Sequence, residues 1–141
     1  MVGRESGAVR LEVIESAGAD ELGAVVADAC LSGTTVNTDE WCGYNRVGGR
    51  HDRVHMTVDH SGPKGTWAID ADGDGVREVH CNTLEGLWTG LRNFLRPFRG
   101  VSKWCASQYV AMFEWGYNIK EVTDEFLQVM LGMSPFTEFA S

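Results

Sequence analysis

Three groups of polar residues in the sequence are spaced so that they could do chemistry. The first is Asp39 and Glu40, which directly follow Thr34–Thr38, a short β-branched run that predicts a buried strand. Because open α/β sheets bind ligands at the carboxyl ends of their strands, this position favours a ligand site. The alternative is structural, with Asp39 serving as the N-cap of a short helix from Trp41 onward.

The second group lies on an amphipathic helix predicted to begin near Asn82 and to end near Phe98, because Pro97 cannot continue the hydrogen-bond ladder. Asn82 is a good N-cap, and Glu85 stands where a capping-box glutamate reaches back to the backbone of the cap. Capping explains this pair without any chemistry. The apolar residues form one stripe that must pack on a core: Leu84, Leu87, Trp88, Leu91, Phe94, Leu95 and Phe98.

The polar face of this helix also carries Arg92, Arg96 and Arg99, and Lys103 follows shortly after them. The formal net charge of the whole chain is −8, which argues against a nucleic-acid-binding protein. The local concentration of basic residues argues in the opposite direction, because Asp and Glu dominate both ends of the sequence.

The third group is the acidic segment Asp70–Gly75, which resembles the first half of a calcium-binding loop. The second half departs from that pattern, because Cys81 occupies the position where a bidentate glutamate is expected. The segment is therefore either a calcium site, which would make the chain a calcium-stabilised interaction module, or a solvated acidic turn.

The remaining pattern predicts an α/β protein. Strands are expected at Ala8–Glu15 and Arg53–His60, and helices at Asp20–Cys30, after Ser102 and at Val122–Leu131. Gly3–Gly7 has the composition of a hairpin turn, which implies a partner strand upstream of Met1. In the helix after Ser102, four residues are expected in the core: Trp104, Val110, Phe113 and Trp115.

The length of 141 residues predicts a single domain over residues 1–141. No apolar run is long enough to span a membrane, and Met1 to Arg10 has no apolar region typical of a signal peptide, so we expect a cytoplasmic protein. The four cysteines form no C-x-x-C pair, which argues against a zinc ribbon; we expect reduced, mostly buried thiols at Cys30, Cys42, Cys81 and Cys105.

Five motifs follow one another along nearly the whole chain: Thr38-Asp39-Glu40-Trp41-x-x-Tyr44, Val58-x-His60-Ser61, His80-x-Asn82-Thr83-x-Glu85-x-x-Trp88-x-x-x-Arg92, Val101-Ser102 and Tyr109-x-x-x-Phe113. In this order they resemble the DDE-type insertion-sequence transposases of the ISXO class. The resemblance implies an RNase H-like mixed β-sheet flanked by helices. It also implies two divalent ions, Mg²⁺ or Mn²⁺, for DNA cleavage and strand transfer at the ends of the element.

The resemblance assigns roles to individual residues. Asp39 matches the family's second catalytic aspartate, and Asn82 and Glu85 are both candidates for the third position, so these three are the expected catalytic residues and metal ligands. Arg92 stands where the family commonly has lysine, and it is expected on DNA phosphates with Arg96, Arg99 and Lys103. The implied partners are DNA at the element ends and target, and further copies of the transposase in a homo-oligomer, without a membrane.

The chain departs from the family at two places. The family's first catalytic aspartate lies on a strand before the hairpin, so we expect the domain to lack that strand, and Glu5, Glu12 and Glu15 do not match the aspartate by position. Met112 and Gly116 replace a glutamate and an arginine that the family often has. Two functions follow: a transposase that is catalytically incomplete, or a non-catalytic remnant that binds DNA or a full-length partner.

Overall fold

A computed structural model describes residues 1–48, 53–61 and 67–132 of the chain. The strands are β1 (Thr35–Asp39), β2 (Val54–Val58), β3 (Ala68–Ile69) and β4 (Val79–His80). The α-helices are α1 (Ala19–Ala29), α2 (Asn82–Leu95), α3 (Ala106–Asn118) and α4 (Asp124–Met130), with short 3₁₀ helices at Cys42–Tyr44 and Arg96–Phe98. This mixture confirms the predicted α/β class, whereas the RNase H-like arrangement stays a prediction.

The strands form two small sheets. β1 and β2 run parallel, from Thr35 opposite Val54 to Asp39 opposite Val58, so both strands end at the same edge. β3 and β4 form an antiparallel pair, and β4 also contacts β1 and β2. Both long strands were predicted, and their shared edge carries Asp39.

The core draws side chains from α1, the strands, α2 and the segments before and between them. Its buried apolar side chains are Val9, Val26, Val47, Val58, Val79, Leu87 and Leu91. The buried part of the apolar stripe on α2 is narrower than predicted, because the side chains of Trp88 and Phe98 remain 48% and 41% exposed. Aromatic contacts join α2 to α3, with the rings of Phe94 and Phe113 5.6 Å apart. Gly90 permits this approach, since a Cβ there would lie 3.3 Å from the Phe113 ring.

The predicted strand at Ala8–Glu15 is wrong. Val9 makes a single antiparallel bridge with Val2, so the turn predicted at Gly3–Gly7 is confirmed. The partner of Val9, which was predicted upstream of Met1, is therefore Val2. The strand does not form because α3 supplies the hydrogen bonds a strand would have supplied. The Asn118 side chain accepts from the Val9 N–H at 2.7 Å and donates to the Val9 carbonyl at 2.8 Å, and Glu114 accepts from the Leu11 N–H at 2.6 Å.

The predicted core role is wrong for Trp104 and Trp115, whereas Val110 and Phe113 are half-buried. No residue of α3 is buried, and Trp104 and Trp115 are 79% and 50% exposed. The cysteines are unpaired, but Cys42 and Cys105 are exposed and the other two half-buried, so their predicted burial fails as well. No helix in residues 1–48, 53–61 and 67–132 is long and apolar enough to cross a membrane.

The helix boundaries are close to those predicted. α3 begins at Ala106 after Cys105, and the Ser102 hydroxyl instead accepts from the Trp104 N–H at 3.4 Å in the preceding turn. α4 is capped by Thr123, whose Oγ1 accepts from the Phe126 N–H at 3.1 Å.

Candidate functional site

Asp39 is the last residue of β1 and is half-buried. Its Oδ1 accepts from the Trp41 N–H at 3.1 Å, which closes a short turn after the strand. The predicted N-cap role is wrong in detail, because the following 3₁₀ helix begins at Cys42 and has Trp41 as its N-cap. Oδ2 of Asp39 makes no hydrogen bond within the described residues, so one carboxylate oxygen stays available.

The capping box predicted at the start of α2 does not form. Asn82 is the first helical residue, and the N-cap is Cys81, which makes no side-chain cap. An N-cap side chain reaches the second or third N–H only from the residue before the helix, so Asn82 stands one position too late. Asn82 and Glu85 are exposed and make no side-chain hydrogen bond or ion pair within the described part of the chain. Capping therefore leaves both side chains free for another role.

The end of β1 lies near the start of α2, because β1 contacts β4 and β4 leads directly into α2. Burial raises the pKa of the Cys81 thiol, the negative charge of Asp39 raises it further, and Glu85 and Glu40 add smaller contributions. Burial likewise raises the pKa of Tyr44, again with a contribution from Asp39. The structure therefore brings Asp39 and Glu85 around Cys81, next to Asn82. We call this end of α2, with Asp39, Glu40, Asn82 and Glu85, the acidic end.

Arg4 also belongs to this region and was not identified from the sequence, whereas Glu40 was identified there together with Asp39. Arg4 comes from the N-terminal turn and donates from Nη2 to the His80 carbonyl at 3.1 Å, and its positive charge opposes the rise in the Cys81 pKa. Glu40 accepts from the His60 N–H at 3.1 Å, which joins the ends of β1 and β2. The residues that meet here are far apart in sequence, so periodicity gave no signal for Arg4.

The donor atoms at the acidic end fit a hard divalent cation, because they are carboxylate and amide oxygens. Asn37, two residues before Asp39 on the same face of β1, has a buried Oδ1 with no hydrogen-bond partner among the described residues. The ligand atoms at the acidic end are, however, not close together. Asp39, Glu40 and Glu85 do not form a group whose ligand atoms all lie within 4.8 Å of one another.

We call Asp70–Glu78 the acidic loop. In the described part of the chain, this loop contains the group of side chains close enough together to hold a metal ion. Ligand atoms of Asp70, Asp72, Asp74 and Glu78 lie within 4.8 Å of one another. Glu78 was missed, although it falls at position nine of the calcium-loop pattern.

Backbone N–H groups of the acidic loop already bind its carboxylates. Asp70 accepts from Gly73 at 2.6 Å and from Gly75 at 2.9 Å, and these bonds, that from Gly75 first, lower the pKa of Asp70. Glu78 accepts from Ala71 at 2.8 Å. Both predicted alternatives, a calcium site and a solvated turn, stay predictions, which calorimetry with Ca²⁺ would separate.

A basic groove lies at the opposite end of α2. This cavity of about 600 Å³ is lined by Arg92, Leu95, Arg96, Arg99, Gly100, Val101, Ala106 and Val110. The three arginines are exposed, and their side chains make no hydrogen bond or ion pair with any described residue. Lys103 does not line the groove; it lies on the next turn, with its Nζ 4.8 Å from the centroid of the Trp104 ring. The structure therefore brings three of the four predicted DNA-binding residues to one surface.

Comparison with known proteins gives one match. No curated protein and no solved structure is significantly similar to the chain. The family model described as ISXO2-like transposase domain matches residues 1–118, which include the acidic end, the acidic loop, the basic groove and all of α3. The chain therefore belongs to the family of ISXO2-like transposase domains.

Proposed function

We propose that this chain is the catalytic domain of an insertion-sequence transposase that cleaves DNA and transfers strands at the ends of its element. One observation carries the proposal. Asn82 and Glu85 are not used in capping α2, and their free side chains lie at the same end of the molecule as Asp39. Polar side chains left exposed and unpaired beside a strand end are what a metal-dependent site requires.

In this proposal Asp39, Asn82 and Glu85 are the residues that would hold Mg²⁺ or Mn²⁺. A bound pair of these ions would activate the attacking hydroxyl and stabilise the leaving oxygen. Asp39 and Glu85 contribute negative charge, whereas Asn82 contributes a neutral oxygen that binds a cation more weakly. Trp41 holds Asp39 in place through Oδ1, so Oδ2 is the oxygen that remains for the ion.

The basic groove would hold the DNA backbone while the acidic end acts on it. The 14 residues of α2 separate the two ends by roughly 20 Å at about 1.5 Å per residue. Successive phosphates on one strand are about 3.4 Å apart along the DNA axis. Arg92, Arg96 and Arg99 would therefore contact phosphates up to about six nucleotides from the bond that is cleaved.

A second candidate function is DNA binding without chemistry, as a remnant or as a partner of a full-length transposase. One observation favours it. Asp39, Glu40 and Glu85 do not meet the 4.8 Å spacing of a compact metal group. In this case the basic groove binds DNA, and the residues of the acidic end are retained from an active transposase but catalyse no reaction.

Two sets of variants separate these functions. In calorimetry with Mn²⁺, Asp39→Ala and Glu85→Gln should each weaken binding at the acidic end, whereas Glu121→Gln, an exposed glutamate elsewhere, should not. In DNA binding, Arg92→Gln should lower affinity and reduce the salt dependence by about one phosphate contact, with Arg77→Gln as the matched control. Loss of DNA affinity without any effect of Asp39 or Glu85 on Mn²⁺ would favour the non-catalytic function.

If Arg92→Gln binds DNA as the unchanged protein does, the assignment of Arg92 to a phosphate contact is wrong. A strand-transfer assay on a DNA end tests directly whether the protein is an enzyme. Metal-dependent product that disappears in Asp39→Ala supports the enzyme, and product unchanged in Asp39→Ala contradicts the assignment of this residue.

A further inference from the structure

The segment around the basic groove has a composition unlike the rest of the chain. The 28 residues between Glu85 and Glu114 contain no Asp or Glu but carry Arg92, Arg96, Arg99 and Lys103. The protein as a whole has a net charge of −8, so this surface is a positive region on an acidic molecule. It is therefore suited to an anionic partner and not to another acidic surface.

The groove is lined by apolar side chains as well as by arginines. Leu95, Val101, Ala106 and Val110 form an apolar lining between the guanidinium groups. Phosphates of a DNA duplex need only the guanidinium groups, because the bases of a duplex are stacked inside it. An apolar lining beside free guanidinium groups suits a ligand that presents an apolar face together with its phosphates.

Trp104 does not line the groove but is close in sequence to residues that do. It lies in the turn between two lining residues, Val101 and Ala106, and is 79% exposed. In the described part of the chain its ring pairs with no other aromatic ring, and only the Lys103 ammonium lies against it, 4.8 Å from the ring centroid. An indole held in water beside a cation is a surface on which a nucleobase can stack.

We propose that the groove and Trp104 together bind unpaired nucleotides of single-stranded DNA. The phosphates would contact Arg92, Arg96 and Arg99, and a base would stack on the Trp104 ring. The inference rests on the proposed function, in which the groove binds DNA. It goes further by assigning a strand preference and a residue, Trp104, that the sequence had placed in the core.

The test compares a labelled single-stranded oligonucleotide with the duplex of the same sequence, by fluorescence anisotropy in the absence of metal. Trp104→Ala should weaken single-strand binding on the order of ten-fold, as removal of one base–aromatic stack does, and should leave duplex binding nearly unchanged. Trp104→Phe should recover most of the affinity. Trp115→Ala is the control, because Trp115 is half exposed on α3 but lies outside the groove.

Three results would overturn the inference: unchanged single-strand affinity in Trp104→Ala, an equal loss for both DNAs, or dissociation of an oligomer by this variant in gel filtration. The last result would make Trp104 a protein-interface residue. An Arg92→Gln, Arg96→Gln double variant keeps the two proposals distinguishable. It should lose affinity for both DNAs, and if it does not, the DNA-binding part of the proposed function fails whatever Trp104 does.

Discussion

The two ends of helix α2 carry opposite charge, and the protein builds them in different ways. The acidic end is assembled from distant parts of the chain: Asp39 and Glu40 from the end of β1, Glu85 from α2, and Arg4 from the N-terminal turn. The basic groove comes from one continuous segment, Arg92 to Val110. The acidic end therefore depends on tertiary contacts, whereas the basic end depends mainly on the local chain.

This difference predicts that the two ends can be damaged separately. The N-terminal turn that carries Arg4 is held to α3 through Asn118, whose side chain makes both hydrogen bonds to the buried Val9 backbone. The groove is held instead by contacts inside one segment, since α2 continues into it through the 3₁₀ helix Arg96–Phe98 and the rings of Phe98 and Tyr109 lie 4.7 Å apart.

The largest effect is expected from Asn118→Ala. Two backbone groups of Val9 lose their partners, so unfolding should become easier by roughly 2–4 kcal/mol in a urea titration. At low denaturant, Mn²⁺ binding at the acidic end should weaken while DNA binding in the groove is retained. Asn93→Ala, an exposed asparagine on α2, is the control. Equal stability of the two variants would show that the Asn118 bonds do not hold the N-terminal segment.

Thr38→Val tests the β1–β2 pair that carries Asp39. Thr38 is 7% exposed, and its Oγ1 lies 2.8 Å from Nε2 of His55, so the variant leaves a partly buried imidazole without its partner. We expect a loss of about 1–2 kcal/mol in the free energy of unfolding. Thr57→Val, which changes an exposed threonine on the neighbouring strand, should cost less. A larger cost at Thr57 would contradict this account of the strand pair.

The same pair gives a pH dependence. Burial lowers the pKa of His55, so between its folded pKa and its ordinary value, near 6.5, the unfolded chain binds a proton that the folded chain does not. Stability should therefore fall as the pH drops below about 6.5, and His55→Gln should remove that part of the change. Thermal melts at about pH 7.5 and about pH 5.5 measure it. An unaltered pH dependence in the variant would exclude His55 as its source.

The smallest effect is expected from Arg4→Gln. Removing a positive charge near Asp39 and Glu85 should strengthen Mn²⁺ binding at the acidic end by about two- to five-fold, because a charge at a solvent-exposed site is screened. DNA binding in the groove should not change. Lys103→Gln, which removes an exposed positive charge after the basic end of α2, provides the control, and a similar gain in that variant would attribute the effect to net charge alone.

The sequence predicted the basic groove better than the acidic end. Helical spacing was sufficient to place Arg92, Arg96 and Arg99 on one surface, because it depends only on neighbouring residues. The strand-end rule placed Asp39, but the capping rule failed at Asn82 by a single residue, a shift that is within the ordinary uncertainty of helix boundaries. Arg4 was missed because tertiary structure, not periodicity, brings it to the acidic end. Glu78 was overlooked although it stands at position nine of the calcium-loop pattern.

The exposed aromatic residues were missed for a related reason. Apolar spacing indicates that a helix has an apolar face, but it does not say whether the protein covers that face. Trp104 and Trp115 were therefore predicted in the core and found largely in solvent. The strand predicted at Ala8–Glu15 failed because side chains of α3 satisfy its backbone, which no local pattern reveals.

The central claim is that divalent cations bind at the acidic end and not only at the acidic loop. An NMR titration with Mn²⁺ tests it most directly, because a paramagnetic ion broadens the amide signals nearest to it. We expect the amide signals of Asp39–Trp41 and Cys81–Glu85 to broaden early in the titration. In Asp39→Ala this broadening should be lost. Broadening confined to Asp70–Glu78 would contradict the account and leave the acidic end without a metal.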